Sequence, residues 1–571
     1  MWLINVETYT LENITNPRKG SYAILSHTWE DGEVSFQQYH NIEDAKKLKG
    51  FKKIDMTIQL ARGKNLEYAW VDTCCIDKSS SAELSEAINS MFQWYSDAAC
   101  CFVCLSDLSS AEITPSISLA NQSRWPKSGT SKGLNQLLEV QQPTALAFKS
   151  CRWFFRGWTL QELIAPKFVE FYDNEWTLIG TKDTLIDLIS WVTGIPTAVL
   201  SMNVPLRKIP IAQRMSWAAD RCTTRIEDIA YCLLGLFDIN MGPLYGEGKK
   251  SFIRLQEEIL KQSDDITLFA WEADQYDDQQ YRGILASSPS EFRDSGTIRR
   301  DDISRNEVGE FRMTNKGLCL DGSNLTHLSH NSAVLSLNCK RPGGGGDSNI
   351  GIRLMTTQHG CVRFLPRQLV EFLQFPELTS VVETPIFIAR TVHLDDSAEI
   401  ARETIGLAIS YEEETKLLVW PHTFYNPIEQ KGFLPNKKLV QAFIIECLEP
   451  SGQQEKFMIV FKFGTDSWLC IRRLGGFAHR GCRSKHTRDE EYEHLVKTNS
   501  IKRPNLYRTD PDFDFGNHPS CVIGTQCGMN RTEEVMLPGA RFYCAIKMFA
   551  GSASLAIKIT AAVTIDVTRI G

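Results

Sequence analysis

Four short apolar runs, separated by stretches with helical spacing, constrain the fold of the first ~270 residues more than any other feature. The runs cover residues 22–26, 68–72, 98–105 and 168–172. Between them, residues 52–66 carry Ile54, Ile58 and Ala61 at helical spacing, and Ser80 and Glu83 have the spacing of a capping box. Strands that alternate with helices in this way predict a parallel sheet that binds ligands beyond the carboxyl ends of its strands.

The rest of the chain divides into two further parts. Residues ~180–265 have helical spacing, and Thr224 and Glu227 predict a second capping box that opens a helix running through Phe237. Beyond about residue 275, alternating runs such as 333–337, 457–463 and 556–567 are separated by turn residues, and the glycines 343–346 predict a turn. We therefore predict an α/β core at 1–180, a helical extension at 181–270 and a β-rich, sandwich-like C-terminal domain at 275–571. Residues 106–147, rich in Ser, Gln and Asn, predict an insertion or long loop.

The composition narrows the class of protein. The chain has 571 residues, of which 43% are hydrophobic and 23% charged, and these values are typical of a folded protein. A net charge of −7 argues against a nucleic-acid binder held mainly by phosphate contacts. The most apolar stretch, 542–570, is interrupted by Lys547, Lys558 and Asp566, so we predict no membrane span.

The cysteine content and the N-terminal sequence indicate in which cellular compartment the protein is expected. The first residues show no secretory signal, and 17 cysteines is an odd number. A reducing compartment, the cytoplasm, follows as the expected location. Cys74, Cys75 and the group Cys100, Cys101 and Cys104 lie in or beside apolar runs, so we predict buried thiols rather than zinc ligands.

The segment 151–166 is the strongest candidate for a functional site. It places Trp158 four residues before Glu162, on one helical face, and Pro166 must end the helix. Ser26, His27 and Trp29 follow the first predicted strand, and Asp72 ends the second. Because the carboxyl ends of parallel strands meet at one edge of a sheet, we expect these side chains to gather near Glu162.

Each of these residues also has a simpler interpretation. Glu162 can form a structural ion pair with Arg156 or Arg152. Asp72 can cap a turn at a strand end, and His27 can be a hydrogen-bonded structural histidine.

Two further motifs are predicted to carry no site. The segment 246–251 lacks the pattern of a phosphate loop, because Pro243 and Lys250 stand at two of its required positions. The spacing of His479, Cys482 and His486 predicts a solvated basic loop, and we predict no metal site.

Several ordered blocks in the first ~270 residues resemble the heterokaryon incompatibility (HET) domain of filamentous fungi. They are YAILSHTW at 22–29, YAWVDTCCIDK at 68–78, AELSEAINSMF at 82–92, RGWTLQELIAP at 156–166, RMSWAA at 214–219, EDIAYCLLG at 227–235 and LYGEG at 244–248. The resemblance implies a role in nonself recognition after cell fusion, ending in growth arrest or death. It also implies an incompatibility partner protein or self-assembly.

The segment Trp158-Thr-Leu-Gln-Glu162 is similar to the Trp-x-x-x-Glu signature of TIR domains, whose glutamate cleaves NAD in the enzymatic members. This likeness implies a TIR-like, flavodoxin-like parallel sheet. It also implies a catalytic Glu162 with NAD as a substrate rather than a resident cofactor. The substrate would then be held by Ser26, His27, Trp29, Asp72 and Trp158. The alternative function is a non-enzymatic adaptor or recognition module that signals by assembly with partners.

Overall fold

The computed structural model describes residues 1–109, residues 142–396 with short gaps after residue 274, and the backbone of strands between 405 and 561. Most of the predicted insertion at 106–147, and the segment that holds His479, Cys482 and His486, lie outside the described residues. In the part that is described, no helix is long and apolar enough to cross a membrane.

The N-terminal part is built on a seven-stranded sheet in the order β2-β1-β4-β3-β5-β6-β7. Its strands are β1 (Trp2–Asn5), β2 (Leu11–Asn13), β3 (Tyr22–His27), β4 (Tyr68–Trp70), β5 (Cys100–Cys104), β6 (Val169–Tyr172) and β7 (Leu178–Thr181). The central four strands, β4-β3-β5-β6, are parallel, and β1, β2 and β7 pair antiparallel at the two edges. The four predicted runs are therefore the four parallel strands.

The burial of β3 and β5 explains why their sequences are continuously apolar. Every residue of both strands is buried, as expected where helices cover both faces of a parallel sheet. The crossover from β3 to β4 includes α3 (Phe51–Gly63), and the crossover from β4 to β5 includes α4 (Ser81–Asp97). These helices and the others belong to one series: α1 (Phe36–Tyr39), α2 (Ile42–Ala45), α3 (Phe51–Gly63), α4 (Ser81–Asp97), α5 (Gln142–Ser150), α6 (Thr159–Ile164), α7 (Ile186–Thr193), α8 (Thr197–Leu200), α9 (Ile211–Ser216), α10 (Asp228–Tyr231), α11 (Leu234–Phe237) and α12 (Lys250–Gln262).

The first two helix predictions hold. The residues Ile54, Ile58 and Ala61 are all buried on α3. The Ser80 side chain caps α4 by accepting from the backbone N–H of Glu83 at 3.3 Å. The second bond of the predicted capping box is not formed, because the Glu83 carboxylate accepts from the backbone N–H of Asp77 at 2.9 Å.

The predicted capping box at Thr224 and Glu227 is wrong. The single helix expected there is two short helices, α10 and α11, and neither has a side-chain cap. The Glu227 carboxylate instead accepts hydrogen bonds from the backbone N–H groups of Gly246 and Gly248, at 2.9 and 3.1 Å. A capping pattern is local, whereas these donors come from a loop about 20 residues away along the chain.

The region beyond residue 275 is β-rich, as predicted. A ten-stranded sheet has the order β10-β11-β17-β15-β14-β13-β12, with β16 on β14, β8 on β15 and β9 on β13. Its strands are β8 (Tyr281–Arg282), β9 (Arg299–Arg300), β10 (Phe311–Thr314), β11 (Gly317–Leu320), β12 (Leu325–Ser329), β13 (Ser332–Gly343), β14 (Gly346–Thr357), β15 (Gly360–Phe364), β16 (Val370–Phe372) and β17 (Ile386–Ile388). Gly343 pairs with Gly346 across β13 and β14, so the chain reverses where the glycine run predicts a turn.

Two more sheets follow. The six-stranded sheet has the order β20-β21-β18-β28-β27-β26, and the five-stranded sheet has the order β19-β22-β23-β24-β25. Their strands are β18 (Ile405–Tyr411), β19 (Lys416–Trp420), β20 (Tyr425–Asn426), β21 (Lys431–Leu434), β22 (Gln441–Leu448), β23 (Gln454–Lys462), β24 (Trp468–Leu474), β25 (Cys521–Ile523), β26 (Thr532–Met536), β27 (Phe542–Met548) and β28 (Ser554–Ala561). The mixed α/β class with a β-rich second half is thus confirmed, while the TIR-like, flavodoxin-like and sandwich-like details stay predictions.

One hydrophobic cluster joins the α/β sheet to the ten-stranded sheet. Its buried members extend from Leu3 to Ile388. At the junction, the buried Arg363 of β15 donates to the carbonyl oxygens of Phe269, at 3.0 Å, and Trp271. Residues on both sides of position 275 share one core, so burial does not mark a domain boundary there. The predicted domain limits stay predictions.

Substitution of Gly235 by alanine is expected to destabilise the protein by about 1–3 kcal/mol, because helices α11 and α4 approach too closely for a side chain there. An added Cβ would lie 2.1 Å from the Cβ of Phe92. Gly63, at the end of α3, is the matched control, since an added Cβ meets nothing within 4 Å. Gly63→Ala should be neutral or stabilise by up to about 1 kcal/mol. Equal unfolding midpoints for the two variants would contradict this close contact.

Candidate functional site

Glu162 lies on α6, a short helix whose six residues are all buried, so this helix has no outward face. The Ser26 hydroxyl donates to Glu162 Oε2, and the indole N–H of Trp153 donates to Ser26 Oγ at 2.7 Å. An indole nitrogen donates only, so Ser26 accepts from Trp153 and keeps its own hydrogen for the carboxyl group. The end of β3 therefore orients the side chain of Glu162.

Burial raises the pKa of Glu162 to about 8. Hydrogen bonds from Ser26 and Tyr95 and the charge of Arg221 oppose this shift, while the negative charge of Asp72 adds to it. The side chain is 8% exposed. At neutral pH Glu162 is therefore mainly a neutral carboxylic acid in the core.

Glu162 forms no ion pair with Arg152 or Arg156, the two partners considered for a structural role. Arg152 pairs with Glu30 at 2.7 Å and Asp107 at 3.3 Å, and Arg156 donates to Thr224 Oγ1 at 3.1 Å. Among the described residues, no cationic side chain lies within ion-pair distance of the Glu162 carboxyl group. A buried carboxyl group without a cationic partner is uncommon in a purely structural role.

His27, Trp29 and Asp72 form a second cluster, which we call the Asp72 cluster. His27 Nε2 lies 3.0 Å from Asp72 Oδ1, and the indole N–H of Trp29 donates to Asp72 Oδ2 at 2.8 Å. The Lys53 ammonium lies 3.3 Å from His27 Nδ1. Because an ammonium only donates, Nδ1 accepts and Nε2 donates to Asp72. Both carboxylate oxygens of Asp72 are thus held by side chains.

Opposing effects set the charge of Asp72. Burial raises its pKa, but the hydrogen bond from His27, the charge of Lys78 and the hydrogen bond from Trp29 outweigh burial and lower the pKa to about 2. The two carboxyl groups are therefore in different states at neutral pH, with Asp72 ionised and Glu162 mainly neutral. Such a pair is typical of sites that divide acid and base roles.

The indole nitrogen of Trp158 contacts a residue outside the predicted site. Trp158 is half-buried at the start of α6, and its indole N–H donates to Asp228 Oδ2 of α10 at 3.3 Å. Tyr245 donates to the other oxygen of Asp228 at 3.0 Å. Among the described residues, no hydrogen bond joins Trp158 to Glu162 or Ser26. The structure therefore brings together Ser26 with Glu162 and His27 with Trp29 and Asp72, whereas Trp158 belongs to the contact with α10.

Sequence reasoning missed three side chains that shape the site. The indole of Trp153 donates to Ser26, and the hydroxyl of Tyr95 donates to the carbonyl oxygen of Leu25. The ammonium of Lys53 donates to His27. Trp153 and Tyr95 occupy apolar runs and Lys53 a charged stretch of α3, so nothing in their local pattern separates them from packing or surface residues. The nearest signal is that Trp153 lies within the segment already singled out.

The cysteines behave as predicted. Cys74, Cys75, Cys100, Cys101 and Cys104 are buried and unpaired thiols. Burial raises the pKa of Cys100 and of Cys104 to about 12, so both are neutral and unreactive at neutral pH. In the described part of the chain, no group of three or more His, Cys, Asp or Glu residues is placed to hold a metal ion.

The glycine-rich loop at 246–251 is explained by its internal contacts. The amides of Gly246 and Gly248, which would face a phosphate, already donate to Glu227. Both glycines have positive φ, 104° and 59°, which brings their amides toward the carboxylate. These hydrogen bonds give the loop a structural role.

Comparison with known proteins places the N-terminal part in a family. Residues 22–162 match the family model described as Heterokaryon incompatibility protein (HET). The chain is also similar to Vegetative incompatibility protein HET-E-1 of Podospora anserina, with 44% identity over 247 residues. That similarity covers 42% of this chain and 16% of the relative. Since the matched region runs from β3 to α6 and holds Ser26, Asp72 and Glu162, this chain contains a heterokaryon incompatibility (HET) domain.

Proposed function

We propose that this chain acts in heterokaryon incompatibility, the fungal response in which fusion of unlike cells ends in growth arrest or death. The HET domain and the similarity to a vegetative incompatibility protein support this role. The similarity spans only 16% of that relative, so partners and trigger do not carry over from it. An incompatibility partner or self-assembly, and a cytoplasmic location, are part of the proposal.

The HET domain, we further propose, cleaves NAD with Glu162 as its catalytic residue. One observation carries this proposal: a buried carboxyl group that forms no ion pair with any described residue and is oriented by Ser26 at the end of a parallel strand. Cleavage of the nicotinamide–ribose bond develops positive charge on the ribose and releases neutral nicotinamide with the bonding electron pair. Water then adds to the ribose carbon and loses a proton, which gives ADP-ribose. A carboxylate close to that ribose would offset the charge, and no strong general acid is needed.

The charge state of Glu162 adds a requirement to this mechanism. Its pKa of about 8 means that the carboxylate is a minor form at neutral pH. Bound NAD carries a positive nicotinamide ring, which would favour the ionised form. We therefore expect the rate of NAD cleavage to rise as the pH increases toward 8.

The test is incubation of the purified full chain with NAD, followed by analysis of nicotinamide and ADP-ribose. Glu162→Gln keeps the shape of the side chain and should abolish product formation. Glu86→Gln, an exposed carboxyl group on α4, is the matched control and should leave the rate unchanged. NAD cleavage at the wild-type rate in a folded Glu162→Gln protein would remove Glu162 from the mechanism.

A specific observation favours a second function, the non-enzymatic adaptor. Glu162 is almost fully buried, whereas an open cleft of about 360 Å³ lies between the β1–β2 hairpin and α4. Trp2, Trp94, Glu83 and Glu86 are among its lining residues. If the protein is an adaptor, cells that express Glu162→Gln should still stop growing. Cells that express Glu86→Lys should continue to grow, although this variant stays folded. The two growth assays therefore separate the enzyme from the adaptor.

A further inference from the structure

An ammonium group of the chain itself lies over an exposed tryptophan next to the candidate site. Lys78 Nζ is 3.5 Å from the centroid of the Trp29 ring. Half of the Trp29 surface is exposed, although its indole N–H is bonded to Asp72. The hydrogen bond to Asp72 therefore orients the ring while half of its surface stays exposed.

The surrounding charges favour a cation at this position. Asp72 is ionised at neutral pH. Burial lowers the pKa of Lys78, and the negative charges of Asp72 and Glu33 oppose this shift. An indole face beside a carboxylate attracts cations through the ring quadrupole and through direct charge attraction. Among the described contacts, Lys53 contacts His27 and does not contact the Trp29 ring.

We propose that Trp29 and Asp72 form a binding site for a flat organic cation of the N-alkylpyridinium class, and that Lys78 is its intramolecular competitor. This inference rests on the proposed function, because the nicotinamide ring of NAD is such a cation. A pyridinium spreads its charge over a planar ring and can stack on the indole. The compact ammonium of Lys78 is strongly hydrated and makes a weaker stacking partner.

The exposure of Lys78 determines how strongly its ammonium competes for the Trp29 ring. Lys78 is an exposed side chain, and a cation–π contact at an exposed site is weak. Its removal should therefore strengthen binding of a cationic ring by about two- to fivefold. A neutral ring of the same shape should gain less, because the charge of Lys78 repels only the cationic ring.

Calorimetric titration of the full chain with 1-methylnicotinamide and with neutral nicotinamide tests this inference. Wild-type protein should bind the cation more tightly than the neutral ring, and Lys78→Met should strengthen binding of the cation more than binding of the neutral ring. Lys78→Arg keeps a cation over the ring, and because a guanidinium stacks well on an indole this variant should bind the cation no more tightly than the wild type. Trp29→Phe should reduce the preference for the cation, and Trp29→Leu should remove it.

Three results would overturn the inference: no preference for the cation in the wild type, weaker cation binding by Lys78→Met, or an equal gain for the neutral ring. Neither titrant contains a bond that the proposed reaction cleaves. The binding data therefore stand apart from the NAD assay, and titration of Glu162→Gln, which should bind like the wild type, separates failure of the site from failure of the catalysis.

Discussion

Raising the pH from 5 to 8 should destabilise the folded protein, and Glu162→Gln should remove about 4 kcal/mol of that loss. An ordinary glutamate ionises near pH 4.5, whereas Glu162 in the folded protein has a pKa of about 8. Between these values the unfolded chain is ionised while the folded protein holds the proton. Each pH unit in this range therefore favours unfolding by about 1.4 kcal/mol.

The sign of the effect is set by which state binds more protons. Below pH 4.5 Glu162 is protonated in both states, and its full contribution to stability is present. As the pH rises through 8 this contribution is lost, and above 8 the carboxyl group is ionised in both states. Asp72 behaves in the opposite way, since its pKa of about 2 adds stability that is lost only in acid.

Denaturant unfolding at pH 5, 6, 7 and 8 measures this effect in the wild type, Glu162→Gln and the control Glu86→Gln. The wild type and the control should show the same pH dependence, and Glu162→Gln a smaller one. The range stops at pH 8 because burial lowers the pKa of Lys182 to about 8, so the loss of its proton in the folded state contributes increasingly at higher pH. All three proteins share this contribution, so it cancels in their comparison. Parallel curves for all three proteins would show that Glu162 is ionised in the folded state.

The second large effect is expected at the junction of the two sheets. Arg363→Met should destabilise the protein by about 3–5 kcal/mol, because it leaves two buried carbonyl groups unpaired. The guanidinium is 1% exposed, donates to Phe269 and Trp271, and stacks on the Trp271 ring with its central carbon 3.7 Å from the centroid. Burial lowers its pKa to about 9, so the arginine stays charged at neutral pH.

Arg293→Met is the matched control for this prediction. Arg293 is about half exposed and pairs with the exposed Asp220 at 2.9 Å, so its loss should cost less than about 1 kcal/mol. Thermal unfolding of both variants at pH 7 measures the difference. A shift for Arg363→Met no larger than that for Arg293→Met would show that the β-rich region does not depend on this contact.

The strands of the α/β sheet were predictable because their signal is local. A parallel strand buried on both faces must be apolar at every position, and β3 and β5 satisfy this requirement throughout. The N-cap of α4 at Ser80 was predictable for the same reason, since the capping oxygen and its donor lie three residues apart. At Glu227 an identical local pattern led to a wrong prediction, because two glycine amides from a distant loop occupy the carboxylate.

The chain's residue order was enough to predict the strands, the alternation of helices and strands, the positions of Ser26 and Asp72 at the ends of two parallel strands, and the position of Glu162 on a short helix. These features depend on neighbours a few positions apart, where spacing controls geometry. Folding alone decided that Ser26, 136 residues from Glu162, donates to its carboxyl group, and that Trp158 turns to Asp228 instead. The charge of Glu162 is likewise a tertiary property, because a carboxyl group holds its proton at neutral pH only when the packed core has removed water from around it.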